Sequence, residues 1–283
     1  MFRNIYGQYR VKLIIFSNLF TMMLKPYYKS IRFKLFHDDC ISVMNSLKPN
    51  TVDMIFADPP YFLSNGGISC RAGKMVSVNK AEWDKSNGID SDFEFTSEWI
   101  KACKRILKDN GTIWISGTMH NIYQVGYALQ KNDYKLLNEI TWFKPNAPPN
   151  LSCKYFAHAH ETLLWARKHH NVPHSFNYEI MKEYNDKFSL KGKQMRSLWH
   201  IPLTPPSEKI HGKHPTQKPV ELLKRIILAS TKENAVILDP FNGSGTTGVV
   251  AKMLNRKYIG IDKEEDFLKL TLKRASLKLK KSI

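Results

Sequence analysis

Short apolar runs alternate with amphipathic segments from residue 33 to near the end of the chain, and this alternation limits the fold more than any other feature. The apolar runs predict strands at residues 33–36, 52–57, 112–115, 136–143, 162–166, 236–238 and 258–261. The amphipathic segments predict helices at residues 41–47, 94–107, 121–130, 219–230 and 246–254, then a basic C-terminal helix, with Asn110-Gly111 closing the second helix. Strands that alternate with helices are typical of an α/β sheet covered by helices on both faces.

The predicted domain has one core and two interruptions. Its 283 residues suit one large domain or one domain with an insertion. We expect an apolar N-terminal extension at residues 1–22 and a single domain over residues 23–283. Residues 62–93 are polar and become acidic towards their end, and we expect a mobile loop that closes over the site. Residues 145–212 read as an insertion in a basic stretch, because residues 144–218 hold 12 Lys and Arg against 5 Asp and Glu.

The net positive charge of the chain indicates which kinds of molecule it can bind. A formal net charge of +18 predicts a polyanionic partner, either nucleic acid or an anionic membrane surface, and a merely soluble basic protein is the alternative. The apolar run at residues 13–24 is too short for a bilayer-spanning helix, which takes ~20 residues. We therefore expect no membrane partner.

Cysteine and histidine usage bears on compartment and metals. The four cysteines are spread out with no Cys-x-x-Cys pair, which favours a reducing cytoplasm over a disulfide framework. The ten histidines lack partners at metal-ligand spacing, so we expect no metal.

A glycine-rich turn follows the predicted strand at residues 236–238 and opens the next helix. Gly243, Gly245 and Gly248 let the backbone turn sharply and approach a ligand, and the helix N-terminus presents free N–H groups. Asp262 stands at the end of the next predicted strand, where an acid can bind two ribose hydroxyls. The turn predicts a nucleoside site, for NAD or for another nucleoside such as S-adenosylmethionine.

The tetrapeptide Asp58-Pro59-Pro60-Tyr61 follows the buried strand predicted at residues 52–57. Its prolines fix φ and remove two N–H donors, so the Pro59 carbonyl faces outward as a rigid acceptor beside the Asp58 carboxylate. A planar amino group offers two N–H donors, and this pair can accept both. Tyr61 adds an aromatic face on which the ring that carries the amine can stack. The tetrapeptide therefore favours transfer to an amino group, with S-adenosylmethionine rather than NAD in the glycine turn.

These residues resemble the β group of adenine-N6 DNA methyltransferases, in which DPPY comes early, FxGxG comes late and the target-recognition region lies between them. The resemblance spans about residues 23–279 and includes IFADPPYFLSNGG, GTIWISG, ITWFKPNAPPN, GKHPTQKP and ILDPFNGSGTTGVVA. It is strongest to the smaller second methyltransferase of GATC-type restriction systems and to GAAGA-type relatives. It implies a Rossmann-like α/β methyltransferase fold with a seven-stranded mixed sheet, S-adenosyl-L-methionine as cofactor and DNA as substrate.

The resemblance also implies roles for individual residues. Asp58, Pro59 and Tyr61 would be catalytic, the first two accepting the N6 hydrogens of a flipped adenine that stacks on Tyr61. The cofactor would contact Asp39, Cys40, Asp58, Thr216, Gln217, Lys218, Asp239, Phe241, Gly243, Gly245, Thr246 and Asp262. Whether Asp38 or Asp39 points inward stays open, because Asp38 replaces the usual glycine. DNA phosphates would meet Lys144, Lys191, Lys193 and Arg196 in and beside the basic insertion.

Several alternatives remain at this point. An N4-cytosine methyltransferase would use the same geometry, although members of that group usually carry Ser where this chain has Asp58. Protein-glutamine and RNA methyltransferases usually place the glycine motif before Pro-Pro-Tyr, the reverse of the order here. A non-catalytic DNA-binding module would explain the charge but not both motifs. We expect double-stranded DNA as substrate, with single-stranded DNA also open, homodimers as in many family members, and a cognate restriction endonuclease encoded nearby.

Overall fold

The structure is a computed structural model of the 283-residue chain. It describes residues 24–63, 68–71, 74–77, 84–184, 187–212 and 214–278, and within these the two short segments 68–71 and 74–77 are described by their backbone alone. The N-terminal extension expected at residues 1–22 lies outside the described residues, as do residues 64–67, 72–73 and 78–83 of the expected mobile loop.

Nine strands form one mixed sheet in the order β1-β2-β11-β10-β3-β6-β8-β7-β9. The strands of this sheet are β1 (Tyr28–Lys29), β2 (Phe33–His37), β3 (Val52–Ala57), β6 (Leu107–Gly117), β7 (Lys135–Phe143), β8 (His160–Arg167), β9 (Leu198–His200), β10 (Val236–Asp239) and β11 (Lys257–Asp262). β2, β11, β10, β3 and β6 run parallel to one another, whereas β8 is antiparallel to both β6 and β7. Two further strands, β4 (Ile68–Arg71) and β5 (Lys74–Ser77), pair only with each other.

The α/β fold predicted from the alternation is confirmed, and all seven predicted strands are present. The sheet differs from the expected seven strands by two short edge strands, β1 and β9, of two and three residues. Strands this short show no measurable period in a sequence, so neither could be predicted from alternation.

Seven helices accompany the strands in the described part of the chain. They are α1 (Cys40–Ser46), α2 (Ile89–Ile106), α3 (Ile122–Lys131), α4 (Tyr178–Lys182), α5 (Val220–Ser230), α6 (Thr246–Met253) and α7 (Glu265–Arg274), with a short 3-10 turn at Pro206–Glu208. None of the helices in this part of the chain is long and apolar enough to cross a membrane.

Neighbouring residues of the central strands point into two separate hydrophobic cores. Ile55 and Ala57 of β3 pack with Trp99 of α2 on one face, whereas Met54 and Phe56 pack with α5 on the other. Because both faces of a parallel sheet are covered by helices, its strands are apolar on both sides rather than alternating with polar residues. This is why residues 52–57 read as a continuous apolar run.

The helix predicted at residues 94–107 has different ends in the structure. α2 begins at Ile89, five residues earlier, so the end of the expected mobile loop is regular helix. It stops at Ile106, and the prediction that Asn110-Gly111 closes it is wrong, because both residues lie in β6. Gly111 is needed for packing instead: a Cβ there would lie 2.8 Å from the Lys108 carbonyl oxygen.

Candidate active site

One cavity of about 500 Å³ opens at the carboxyl ends of the parallel strands. Asp39 follows β2, Asp58 follows β3, Asp239 ends β10 and Asp262 ends β11, and all four line the cavity. Ligands of open α/β sheets bind at this edge, where loops leave the strand ends. The volume lies within the range of small-molecule sites, roughly 300–1,000 Å³.

The glycine turn between β10 and α6 is built on two left-handed residues. Gly243 and Gly245 have φ of 49° and 71°, which side chains with a Cβ rarely adopt. A Cβ on Gly245 would also lie 2.3 Å from Oγ1 of Thr271, so α7 packs against the bare backbone. The ring of His214 approaches Gly243 in the same way, at 3.2 Å from the position of an added Cβ. The two glycines therefore fix the shape of the cavity wall.

Two carboxyl groups hold this turn from either side, that of Asp239, which is buried, and that of Asp262, which is half-buried. Asp262 accepts hydrogen bonds from the backbone N–H groups of Gly243 (2.7 Å) and Glu264 (2.9 Å). Asp239 accepts from the Phe241 N–H (3.0 Å) and the Thr247 hydroxyl (2.6 Å). Burial raises the pKa of Asp239 to about 7 and that of Asp262 to about 6, because the charged form loses hydration. With pKa values this close to neutral, the charge of each carboxyl group can change when a ligand enters the cavity.

The Asp38–Asp39 pair sits at the start of α1, and both residues line the cavity. Asp39 is the N-cap: its Oδ1 accepts from the N–H groups of Ile41 and Ser42, each at 3.0 Å. Its second oxygen, Oδ2, lies 2.9 Å from Nζ of Lys263. Asp39 therefore stabilises the first turn of α1 as its N-cap.

The turn that carries Asp58 is held by a residue from the acidic segment. Oδ1 of Asp84 accepts hydrogen bonds from the backbone N–H groups of Tyr61 (2.8 Å) and Phe62 (3.0 Å). Phe62 has a φ of 57°, a left-handed conformation that bulky residues seldom adopt. Asp84 and Asp92 are both buried. These two acids of the expected loop are therefore hydrogen-bond acceptors inside the protein rather than surface charges.

The side chains of Asp58 and Tyr61 belong to a buried polar network. The Tyr61 hydroxyl donates to Oδ1 of Asp58 at 2.7 Å, and it lies 3.0 Å from Oγ of Ser116 and 3.1 Å from Oε2 of Glu161. Nζ of Lys218 lies 2.7 Å from Oδ2 of Asp58 and 3.4 Å from Oε2 of Glu161. We call these five residues, together with Lys144, the Asp58 network.

Charge is balanced within the Asp58 network. Burial raises the pKa of Asp58, and the ammonium group of Lys218 opposes that shift. Burial alone would also raise the pKa of Glu161, but Lys218 and Lys144 bring it down to about 2. Burial would lower the pKa of Lys218, yet Asp58 and Glu161 together raise it. Two carboxylates therefore face two ammonium groups in a largely buried cluster.

Glu161 and Ser116 are the members of the network that the sequence did not indicate. Glu161 stands at the start of β8 among histidines, and Ser116 is one of several polar residues of β6. The antiparallel pairing of the two strands brings them together, since Ser116 is opposite Leu163 in the register. No short motif contains both residues, so only the sheet reveals the pair.

Two lysines of the predicted site pair with carboxylates inside the protein. Lys218 is predicted to contact the cofactor; it lines the cavity, and its ammonium lies within 3.4 Å of Asp58, Tyr61 and Glu161. Lys144 was expected at DNA phosphates; its side chain is 12% exposed and pairs with Glu161 at 3.2 Å. An ammonium group has three N–H donors, so those of Lys218 are already directed at protein oxygens.

Most of the predicted cofactor residues lie around this cavity. Its walls include Asp39, Cys40, Asp58, Thr216, Lys218, Asp239, Phe241, Gly243, Thr246 and Asp262. Gln217 lies outside these walls, and its Nε2 donates to the Glu208 carbonyl at 2.9 Å. Gly245, Pro59 and Tyr61 are also outside, although the last two flank Pro60, which is in the wall. Phe267 and His214, whose rings meet edge to face at 4.4 Å, complete it.

The basic insertion follows β7 and contributes two strands to the sheet: β8 lies between β6 and β7, and β9 forms the edge beside β7. Lys191, Lys193 and Arg196 are exposed, and Lys191 lies 3.1 Å from the equally exposed Glu183. The insertion is anchored by β9 and by the ring of Trp199, which packs against Trp114. Within the described residues, no group of three or more His, Cys, Asp or Glu side chains is placed to hold a metal ion.

Comparison with known proteins gives a consistent family. The profile of a family described as DNA methylase matches residues 52–273. The chain is 56% identical over 255 residues to the type II methyltransferase M2.LlaDCHI of Lactococcus lactis subsp. cremoris, covering 90% of this chain and 93% of that protein. Identity and coverage are the same for the type II methyltransferase M2.DpnII of Streptococcus pneumoniae.

Solved structures show the same fold. The crystal structure of the M1.HpyAVI–SAM complex matches with a TM-score of 0.63 and 26% identity, covering 87% of this chain and all of that one. The PvuII DNA methyltransferase, titled cytosine-N4-specific, matches with a TM-score of 0.68 and 18% identity, covering 92% of this chain and 90% of that one. At 18% identity the likeness concerns the fold alone.

Proposed function

Because this chain belongs to the DNA methylase family, we propose that it is a site-specific methyltransferase that moves a methyl group from S-adenosyl-L-methionine to N6 of adenine in DNA. The observation that carries the proposal is the position of Asp58 in the wall of the same cavity as the glycine turn. An acceptor for an amino group and a nucleoside site therefore open onto one space, which is what a direct transfer between two bound molecules requires.

The residues of the cavity suit S-adenosylmethionine. Asp262 offers a carboxylate at the end of β11, where two vicinal ribose hydroxyls can donate to it. Phe241 and Phe267 offer apolar faces for the adenosine and the thioether chain. The start of α6, with Thr246 in the wall, suits the carboxylate end because a helix N-terminus favours negative charge. When bound, S-adenosylmethionine supplies a methyl group made electrophilic by its sulfonium.

The protein's own contribution is to position and polarise the amine. The Asp58 carboxylate and the Pro59 carbonyl accept the two N6 hydrogens, which draws the nitrogen towards a tetrahedral shape and frees its lone pair from the ring. Fixed acceptors of this kind act through electrostatic preorganisation. N6 must also lose one proton when the new N–C bond forms. The Asp58 carboxylate is its acceptor, and burial, which raises the pKa of Asp58, favours that protonation.

The hydroxyl and the ring of Tyr61 contribute to the reaction in different ways. Its hydroxyl is hydrogen-bonded to Asp58 and so orients the carboxylate. Its ring is buried, and Nζ of Lys218 lies 5.3 Å from the ring centroid. A flipped base that stacks on this ring, worth about 1–3 kcal/mol, reaches it only when neighbouring groups move aside.

Adenine is the favoured base because the residue before Pro-Pro is Asp58, whereas N4-cytosine enzymes usually carry Ser there. The names of the relatives, type II methyltransferases, support a place in a restriction-modification system. With them we propose DNA as the partner, contacted through the exposed Lys191, Lys193 and Arg196, in a cytoplasmic enzyme. A homodimer and an endonuclease encoded nearby complete the proposal.

The test is to incubate the protein with S-adenosylmethionine labelled in its methyl group and with genomic DNA that lacks modification. Digestion to nucleosides and mass spectrometry should show N6-methyladenine as the labelled product. N4-methylcytosine as the product would contradict the base assignment, and DNA binding without any label would support the non-catalytic alternative. Sequencing the modified DNA would then give the recognition sequence.

A further inference from the structure

The loop between β7 and β8, residues 144–159, holds aromatic side chains in solvent. Phe156 is 96% exposed, Tyr155 is 60% exposed and Leu151 is 40% exposed. No contact within the described residues buries Phe156, so its ring adds almost nothing to the hydrophobic core. Three neighbouring apolar side chains that stay exposed on one loop mark a surface for binding rather than for folding.

The loop has an internal framework that keeps its tip in one shape. The base is closed by a hydrogen bond from the Lys144 N–H to the Ala159 carbonyl at 2.8 Å. Near the tip, Nδ2 of Asn150 donates to the Tyr155 carbonyl at 2.6 Å, and Oδ1 of Asn150 accepts from the Ser152 N–H at 3.1 Å. A framework of this kind lowers the entropy that is lost when the exposed rings bind.

The loop starts at one member of the Asp58 network and ends two residues before another. Lys144 is its first residue, and Glu161, the second residue of β8, is the partner of that lysine at 3.2 Å. Glu161 in turn lies 3.1 Å from the Tyr61 hydroxyl. The rings therefore project from the edge of the sheet at which Asp58 handles the target base.

Charge on the loop fits a nucleic acid. Residues 144–159 include the exposed Lys154 and no Asp or Glu, while the charge of Lys144 is already paired with Glu161. The whole chain has a net charge of +18, so a polyanion approaches this surface without repulsion from carboxylates of the loop. Apolar and aromatic side chains that enter a duplex from a basic surface separate neighbouring base pairs.

We propose that Tyr155 and Phe156 insert into the base stack of duplex DNA beside the target adenine and occupy the space that the flipped base leaves. This inference rests on the proposed function and adds to it a named pair of residues that stabilises the open duplex. Flipping costs unstacking and unpairing, and an aromatic ring in the gap restores stacking to the neighbouring bases.

The experiment compares two duplexes that contain the sequence methylated by the wild type. In one the target adenine faces thymine; in the other it faces an abasic site, so flipping costs less. The double variant Tyr155→Ala/Phe156→Ala should lose about 10- to 100-fold in kcat/KM on the paired duplex. On the abasic duplex its kcat/KM should stay within about 3-fold of the wild type, since little pairing remains to be broken.

Controls separate the inference from the proposed function and from misfolding. Wild-type methylation of the paired duplex is the evidence for the proposed function, whatever the variant does. The ring-preserving double variant Tyr155→Phe/Phe156→Tyr should keep activity on the paired duplex, and so should Ile31→Ala, an exposed apolar residue (94%) beside the amino end of β2. S-adenosylmethionine affinity of the alanine variant should equal that of the wild type.

Two results would overturn the inference. Unchanged activity of the alanine variant on the paired duplex would show that the rings do not enter the stack, and a change in sedimentation coefficient alongside it would assign the surface to a second copy of the chain. An equal loss on both duplexes would show that the loop serves general DNA contact and not the flipped state.

Discussion

Nζ of Lys218 lies 2.7 Å from Oδ2 of Asp58, although 160 positions separate the two residues in the chain. The lysine comes after the basic insertion, and the aspartate comes before it. The Asp58 carboxylate is therefore held from both sides, by Tyr61 of its own turn and by Lys218 of the segment that leads into α5. Removing either group should change the pKa of Asp58 and the orientation of its carboxylate.

Asp58→Ala should reduce methyl transfer by about 10²–10³-fold or more, because a preorganised acceptor for the amine is lost. DNA affinity should change little, since Asp58 is within the cavity and not on the exposed basic surface. Single-turnover methylation and fluorescence anisotropy with labelled DNA measure the two quantities. Asp109→Ala, at an exposed carboxylate, is the matched control. Near wild-type turnover of Asp58→Ala would remove the proposed mechanism.

Glu161→Gln should lower the free energy of unfolding by about 3 kcal/mol, because the buried Lys218 and the largely buried Lys144 then face an uncharged partner. Urea denaturation measures the change. Glu179→Gln, which breaks an exposed pair with Lys182, should leave the denaturation midpoint almost unchanged. If the two variants were equally stable, the network around Glu161 would be no more than a surface ion pair.

The stabilising effect of Glu161 should also depend on pH in a defined window. Its pKa in the folded protein is about 2, below its ordinary value of 4.5. A depressed carboxyl pKa stabilises the fold fully above pH 4.5, and that contribution is lost as the pH falls towards 2. The difference in stability between the wild type and Glu161→Gln should therefore shrink over this range. A difference that is constant from pH 6 to pH 3 would argue against the assigned pKa.

Asp262→Ala should weaken binding of S-adenosylmethionine by about 1 to 3 kcal/mol, the loss expected for a charged hydrogen bond. Affinity of the wild type should also fall below pH 6, because protonation of Asp262, with a pKa of about 6, removes the charge and one acceptor position. Calorimetric titration at several pH values measures both effects. Asp266→Ala, four residues further and 89% exposed, should bind like the wild type.

Neutralising Lys191, Lys193 and Arg196 together should flatten the salt dependence of DNA binding. About five phosphate contacts give a slope of roughly −4 to −5 in log K against log salt, and three lost contacts reduce it by up to about 3. The control is neutralisation of Lys48, Lys232 and Lys257, which are exposed at the opposite edge, near the amino ends of the parallel strands. An unaltered slope in the first triple variant would place the DNA elsewhere.

The parts of the site that could be predicted are those whose chemistry is contained in a few neighbouring residues. Asp58 and Gly243 stand in motifs whose residue types follow from the local backbone conformation. Asp58 is followed by prolines that fix the backbone beside it, and Gly243 adopts a positive φ that glycine favours. The strands that carry them are long apolar runs between turn residues, so their place in a parallel sheet could also be predicted.

The parts that could not be predicted depend on partners far away in the chain. In the sequence, Lys144 resembles a surface cation in a basic stretch, and only the fold shows that it forms an ion pair with Glu161. Gly111 reads as the end of a helix, because the spacing of the apolar residues does not reveal that the backbone of Lys108 excludes a Cβ there. Asp84 reads as one of a run of acids, although it is buried and holds the turn at Tyr61.

The pairing of β3 with β10, in which Ile55 is opposite Leu238, has a consequence for how such enzymes diversify. This register sets how far the end of β3, where Asp58 stands, lies from the end of β10, where the glycine turn begins. The separation between methyl donor and acceptor therefore depends on how the two strands pair. A shift by one residue would move the strand by about 3.3 Å and reverse its side chains. Exposed positions of the basic insertion such as Lys191 and Lys193 take no part in this pairing, so substitutions there can alter the surface of the protein while the distance between the two reacting groups is inherited unchanged.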